Sequence, residues 1–349
     1  MSFEDKPGGT ILPHEFGACP SVGNYRKVNR IGEGTYGYVY RAVSKSSNEV
    51  VALKRIILHN ESQDGFPITS LREVKTLQAC RDHPNIVQLH DVCVGSRRDA
   101  VFLVFEYCEH DLATITNVFK KPFTESEVKC LVLQLLRALQ YVHAKWIVHR
   151  DIKLPNLLYN SKGQLKLADF GMARALSHPA PDNLTQTVVT LWYRAPELLL
   201  GSATYGFPID IWSVGCILGE LLLSSPLLPG SSELDQMKWI FHLLGCPNSR
   251  IWPEVEQLPL ISSGQINLEK ERAVHQYNTL RETFPKLRDE GLDLLHALLT
   301  YAPNVRITAA AAVNHKFFYC SPFPQESELM PTFPSQHNEM MKQQQEQRR

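Results

Sequence analysis

The sequence has no excess of charge of either sign, no CxxC pair, no internal repeat and no apolar run long enough to cross a bilayer. Lys plus Arg and Asp plus Glu both number 36, so no broad basic field exists to attract nucleic acid, and no direct nucleic-acid partner is expected. The eight cysteines are scattered, several of them in segments that read as buried helix or strand, which points to a reduced, intracellular protein, and its expected location is nucleus and cytoplasm. The start MSFEDKPGGT lacks the basic residues and apolar stretch of a signal peptide, and the most apolar segment, residues 211–223, is too short to span a membrane. Neither secretion nor membrane attachment is expected.

What is present is material for one or two substantial cores: 44% hydrophobic and 21% charged residues over 349 positions. Residues 1–24 carry Pro7, Gly8, Gly9, Pro13, Gly17, Pro20 and Gly23 without apolar periodicity and read as an extended, flexible arm. From Tyr25 to Arg55, β-branched and aromatic runs separated by Gly32, Gly34, Gly37 and a polar turn predict three antiparallel strands. Ile68, Leu71, Val74 and Leu77 predict a helix with one apolar stripe, beside which lies Glu73. Ser70 and Glu73 also satisfy a capping box, so Glu73 has a purely structural alternative. Phe102 to Phe105 is a buried strand run followed by a short connector, the natural boundary between two lobes. Beyond it helices dominate. Thr124 with Glu127 forms a capping box ahead of a long stripe from Val128 to Val142, and residues 211–222 are apolar all round, as in a helix buried at a domain centre. The Pro-rich and Gln-rich residues 319–349 cannot build a core and are expected to be a flexible tail.

The chemistry concentrates in HRDIKLPN, His149 to Asn156. Asp151 can accept the proton of a hydroxyl, Lys153 can neutralise a migrating phosphoryl group, and Asn156 can offer an amide oxygen to magnesium. The bland alternative is a solvated loop of mixed charge. Further along, Asp169-Phe170-Gly171 follows an apolar strand, and Ala195-Pro196-Glu197 follows in turn. Upstream, IGEGTYGYV spans a hairpin whose glycines let backbone approach phosphates, and it continues as strand, where a dinucleotide fingerprint would open a helix. Val51-Ala52-Leu53-Lys54 supplies a strand lysine that Glu73 can pair.

These motifs, in this order, resemble the cyclin-dependent protein kinases over residues 25–318, and PITSLRE at Pro67 to Glu73 resembles the PITSLRE and PISSLRE branches. YCEHDL and ELMPTFP look more like the PISSLRE branch, whereas Thr69 points the other way. The resemblance implies an α+β, two-lobed kinase fold, with an N-lobe of residues 25–107, a C-lobe of residues 108–318, and ATP with Mg2+ in the cleft between. It implies nucleotide contacts from Ile31, Gly32, Glu33, Gly34, Thr35, Tyr36, Gly37, Val39, Ala52, Lys54, Glu106, Cys108, Asp111 and Leu158, with Phe105 as gatekeeper. Asn156 and Asp169 would hold the metal, and Glu197 would pair with Arg306.

Also implied is an activating phosphate on Thr185 placed by another kinase and gathered by Arg72, Arg150 and Arg174, while Tyr36, with Thr35, is either an inhibitory phosphorylation site near the ATP phosphates or, for Tyr36, a residue that only packs in the glycine-rich loop. The helix at 67–73 would bind a cyclin, M-like if the PISSLRE likeness holds. Val188, Val189 and Arg194 would receive the residue after the target and favour Ser/Thr-Pro protein substrates in cell-cycle or transcription control. The absence of a Thr-x-Tyr pair disfavours a cyclin-independent relative. Leu154-Pro155 and Met172 depart from the family pattern without removing a catalytic group. The rival reading is a catalytically weak or dead scaffold that binds a cyclin.

Overall fold

The structure is a computed structural model that describes residues 19–34, 37–56, 67–95, 101–176 and 188–334. Its described residues divide into two compact units, a smaller one of residues 19–56 and 89–107 and a larger one of residues 67–88 and 108–334. Residues 67–88, expected within the N-lobe, thus cluster with the helical unit and not with the sheet.

The smaller unit is an antiparallel sheet in the order β1-β2-β3-β5-β4, formed by β1 (Tyr25–Gly34), β2 (Gly37–Ser44), β3 (Val50–Ile56), β4 (Leu89–Val94) and β5 (Val101–Glu106). Side chains alternate between faces along each strand. Val51, Leu53, Phe102, Val104, Ala42 and Cys93 therefore close one core. Ala52 and Lys54 lie on the opposite face, where register sets Val39 against Lys54 and Phe105 against Ala52. Gly37 has φ +150, and a Cβ there would lie 1.7 Å from the Arg55 carbonyl, so the hairpin admits no side chain at that point.

In the larger unit, α1 (Ile68–Ala79) begins at Ile68 with Pro67 as its N-cap, so Ser70 lies inside the helix and forms no capping box. Its buried face is Ser70, Glu73 and Leu77. The predicted stripe is turned inward only in its second half: Leu77 is buried and Val74 half-buried, but Ile68 is 65% and Leu71 57% exposed. Next come β6 (His110–Asp111), α2 (Leu112–Thr114) and α3 (Glu125–Ala144), whose Thr124–Glu127 capping box is complete. β7 (Ile147–Val148) pairs with β10 (Arg174–Ala175), while β6, β8 (Leu157–Tyr159) and β9 (Leu165–Leu167) make a small sheet. α4 (Pro196–Leu199), α5 (Pro208–Leu223) and α6 (Glu233–Leu244) follow, with α5 buried along nearly its whole length. Among the described residues, no helix is long and apolar enough to cross a membrane.

Residues 320–334 differ from the flexible tail expected there. Fully buried Lys129 of α3 donates to the carbonyls of Cys320 and Pro322, Gln325 N donates to Ser126 O, and Met330 is buried. Backbone carbonyls and spaced aromatics can anchor a segment that has no periodicity of its own. The rest of the tail lies outside the described residues.

Candidate functional site

The predicted loop hangs between β7 and β8 and is fastened from below by one carboxylate. Asp210, in the first turn of α5, accepts from His149 N and Arg150 N at 2.9 Å each and binds His143 Nε2 at 2.9 Å. Burial alone would raise this carboxyl, but the hydrogen bonds and charge of His143, with His149, hold it below the usual aspartate range. His149 is itself fully buried, its Nε2 3.1 Å from Ala168 O and its ring edge-on to Phe170; burial keeps it neutral by lowering its pKa. Arg150 takes φ +69, a left-handed conformation at the residue before Asp151.

Four side chains then converge. Asp151 Oδ2 lies 2.8 Å from Lys153 Nζ and accepts from Asn156 Nδ2 at 3.0 Å, while Oδ1 accepts from Thr190 Oγ1 at 3.1 Å. Lys153 Nζ also donates to Thr190 Oγ1 at 3.1 Å. Burial would raise the Asp151 carboxyl, yet Lys153 above all, with His149 and Thr190, brings it below the usual range. A carboxylate so held stays ionised and points its lone pairs at whatever hydroxyl enters.

Asn156 spends its amide hydrogens on Asp151, donating to the main-chain oxygen at 2.8 Å as well as to the carboxylate, which turns its Oδ1 the other way. Ala168 N donates to Asn156 O at 2.9 Å, tying this loop to the strand that delivers Asp169. Asp169 has φ +61, a left-handed conformation that a non-glycine residue adopts only when its surroundings impose it. Both residues offer hard oxygen atoms, the donor type that suits Mg2+.

The segment entering α4 carries a second arrangement. Val189 has φ +67, and Arg194 Nε and Nη2 donate to its carbonyl at 3.2 and 3.0 Å, while Nη1 pairs with Glu233 of α6. Glu197 and Arg306 form the expected pair, two parallel hydrogen bonds of 2.7 and 2.9 Å with both side chains buried.

The other predicted residues fall as follows. Gly32, Val39, Ala52, Lys54 and Phe105 share one face of the small sheet, Glu33 and Gly34 complete the β1–β2 pairing, and Glu106 ends β5. Ile31 and Cys108 are half-buried. Asp111 and Leu158 are register partners in β6 and β8, and the Asp111 carboxylate accepts from Thr114 N at 2.8 Å and Thr114 Oγ1 at 2.7 Å, so it caps α2. Arg150 donates to Met172 O at 2.7 Å and to Tyr205 Oη at 3.0 Å. Arg174 lies beside Val148 in β10, and Arg72 is exposed on α1. Lys54 belongs to the small unit and Glu73 is buried in the large one. Thr35, Tyr36 and Thr185 lie outside the described residues. Sequence reasoning passed over Thr190, Asp210 and Tyr205; a lone Asp opening an otherwise apolar helix was the one visible signal among them.

A five-stranded antiparallel sheet, a buried Asp held by its Lys and Asn, and a neighbouring Asp in left-handed backbone are the features of the protein kinase class. Residues 25–318 match the family described as "Protein kinase domain", and the chain belongs to that family as an ATP-dependent serine/threonine kinase of the cyclin-dependent group. It is 51% identical over 330 residues to human "Cyclin-dependent kinase 10", covering 94% of this chain and 89% of that protein. "Probable cyclin-dependent kinase 10" of Dictyostelium discoideum is 50% identical over 317 residues, 90% of this chain and 84% of its own. Rice "Cyclin-dependent kinase G-2" is 47% identical over 325 residues, 91% of this chain but 44% of that longer protein.

Proposed function

We propose that the chain is an active, cyclin-dependent and proline-directed kinase that passes the γ-phosphoryl group of ATP to Ser/Thr-Pro sites in regulatory proteins. The convergence of Lys153, Asn156 and Thr190 on Asp151 carries this reading. In it Asp151 orients the substrate hydroxyl and takes its proton, and Lys153 balances charge on the phosphoryl group as it moves. Asn156 and Asp169 offer hard oxygen donors and would hold magnesium together with the phosphates. When bound, the ion supplies charge neutralisation of the phosphate oxygens.

The proline preference follows from Val189. With its carbonyl already accepting from Arg194, an incoming residue that carries an N–H has nothing to donate to, at a cost of about 1–3 kcal/mol. Proline has no such hydrogen.

Dependence on a cyclin follows from α1, whose Ile68 and Leu71 are exposed on a helix that also carries buried Glu73. An apolar partner face would cover them and hold the helix that carries Glu73 in place. Phosphate on Thr185 would then be gathered by Arg72, Arg150 and Arg174. A factorial assay of wild type and Thr185→Ala, each with and without the cyclin recovered by affinity capture, on a Ser-Pro peptide tests the reading. Cyclin should raise activity strongly and Thr185→Ala should blunt the gain; full activity of the lone unphosphorylated chain would overturn it.

A further inference from the structure

The Pro-rich tail ends on the back of a strand pair that carries two predicted nucleotide contacts. β6 and β8 set His110 opposite Tyr159 and Asp111 opposite Leu158. Opposed residues share a face and successive residues alternate, so His110 and Tyr159 face one way, Asp111 and Leu158 the other. The tail occupies the first face. Tyr159 Oη donates to Pro331 O at 2.7 Å, and burial pushes that hydroxyl's pKa up, so it remains a donor. His110 Nε2 lies 3.3 Å from Phe333 O. The Phe333 ring packs against Phe119, Tyr159, His110 and Phe123, with centroids 5.3, 6.0, 6.1 and 6.2 Å away.

The seat is built for this segment. Gly163 has φ +70, and a Cβ there would lie 1.9 Å from Ser327 O and 2.6 Å from the Met330 side chain. β6 has only two residues, too short a ladder to fix its own position. Its register depends on what packs behind it.

We propose that residues 331–333 are a positioning element for the nucleotide: by clamping His110 and Tyr159 they set Asp111 and Leu158 for the ribose and adenine. This rests on the reading as an active kinase and on the nucleotide contacts that the kinase resemblance implies for Asp111 and Leu158. Phe333 touches no substrate and acts through the strand pair. Loss of the clamp lets Asp111 drift, and contacts that depend on alignment weaken before the fold does.

The test is calorimetric titration of the full chain with Mg·ADP, which needs no cyclin, alongside the apo Tm. Phe333→Ala should weaken binding about tenfold, Phe333→Tyr should stay within about twofold of wild type, and Asp111→Ala should lose a comparable amount to Phe333→Ala. Tyr301→Phe removes a buried hydrogen bond to Gly245 O elsewhere in the large unit and should lower Tm with affinity intact. Where Phe333→Ala does not fold, Tyr159→Phe, which loses only the bond to Pro331, should still weaken binding about threefold. A lower Tm with unchanged affinity in Phe333→Ala, while Asp111→Ala loses affinity, overturns the inference and leaves the nucleotide contacts standing. Unchanged affinity in both overturns the contacts and the inference together.

Discussion

Thr190 Oγ1 stands 3.1 Å from both Asp151 Oδ1 and Lys153 Nζ, joining the acidic and basic members of the loop through one hydroxyl. It comes from a segment 39 residues downstream of Asp151, so the loop is complete only when residues 188–190 are in place. Thr190→Val keeps the shape and removes the hydroxyl. It should lower kcat by about ten- to a hundredfold with little change in nucleotide affinity, whereas Thr190→Ser should retain most activity. Steady-state kinetics of the cyclin-bound chain check this; equal kcat for Val and wild type would mean that the hydroxyl is only a surface contact.

Asp210 makes stability depend on pH. Its carboxyl sits below the usual aspartate range in the folded chain. Its contribution is therefore fully present above the unfolded value of about 3.9 and is lost as pH falls through the lower, folded value. Asp210→Asn places an amide against donors that need an acceptor and should cost about 2–4 kcal/mol at pH 7. Urea unfolding of both proteins from neutral to acid pH should show their difference shrinking below about pH 4. Parallel curves would deny Asp210 its ionised role.

Arg194→Ala uncovers the Val189 carbonyl. A substrate amide can then donate to it, so the preference for Ser-Pro over Ser-Ala peptides in kcat/KM should fall by about tenfold or more. Peptide pairs assayed with wild type and variant measure it, and an unaltered ratio would place the proline preference elsewhere.

Most of the large pieces were legible because they depend on local rules. The alternating strands, the Thr124–Glu127 cap and the buried α5 all follow from spacing within a few residues. So did the loop from His149 to Asn156, whose members bond one another over short separations. Four features were not legible for the converse reason. Thr190 and Asp210 act across the chain, the latter on amides 60 and 61 residues away, and no local pattern marks such a partner. The stripe on α1 matched helical periodicity, but Ser70 and Glu73 share the inward face with Leu77, and Ile68 and Leu71 are left in solvent. The tail lacked periodicity because its anchorage is made by carbonyls and by Phe333 rather than by a repeating apolar face.

The central claim is that Asp151 is the group that receives the hydroxyl proton in a working kinase. Its direct measurement is phosphate transfer from Mg·ATP to a Ser-Pro peptide by the cyclin-bound chain, wild type against Asp151→Asn, with Mg·ADP affinity determined on the same preparations. The account predicts transfer by wild type and a loss of about 10²–10⁴ in kcat for Asp151→Asn, with nucleotide affinity within about twofold. Wild-type turnover by Asp151→Asn would contradict the assigned role, and a wild-type complex that binds Mg·ADP yet transfers nothing would mark the chain as a cyclin-binding scaffold.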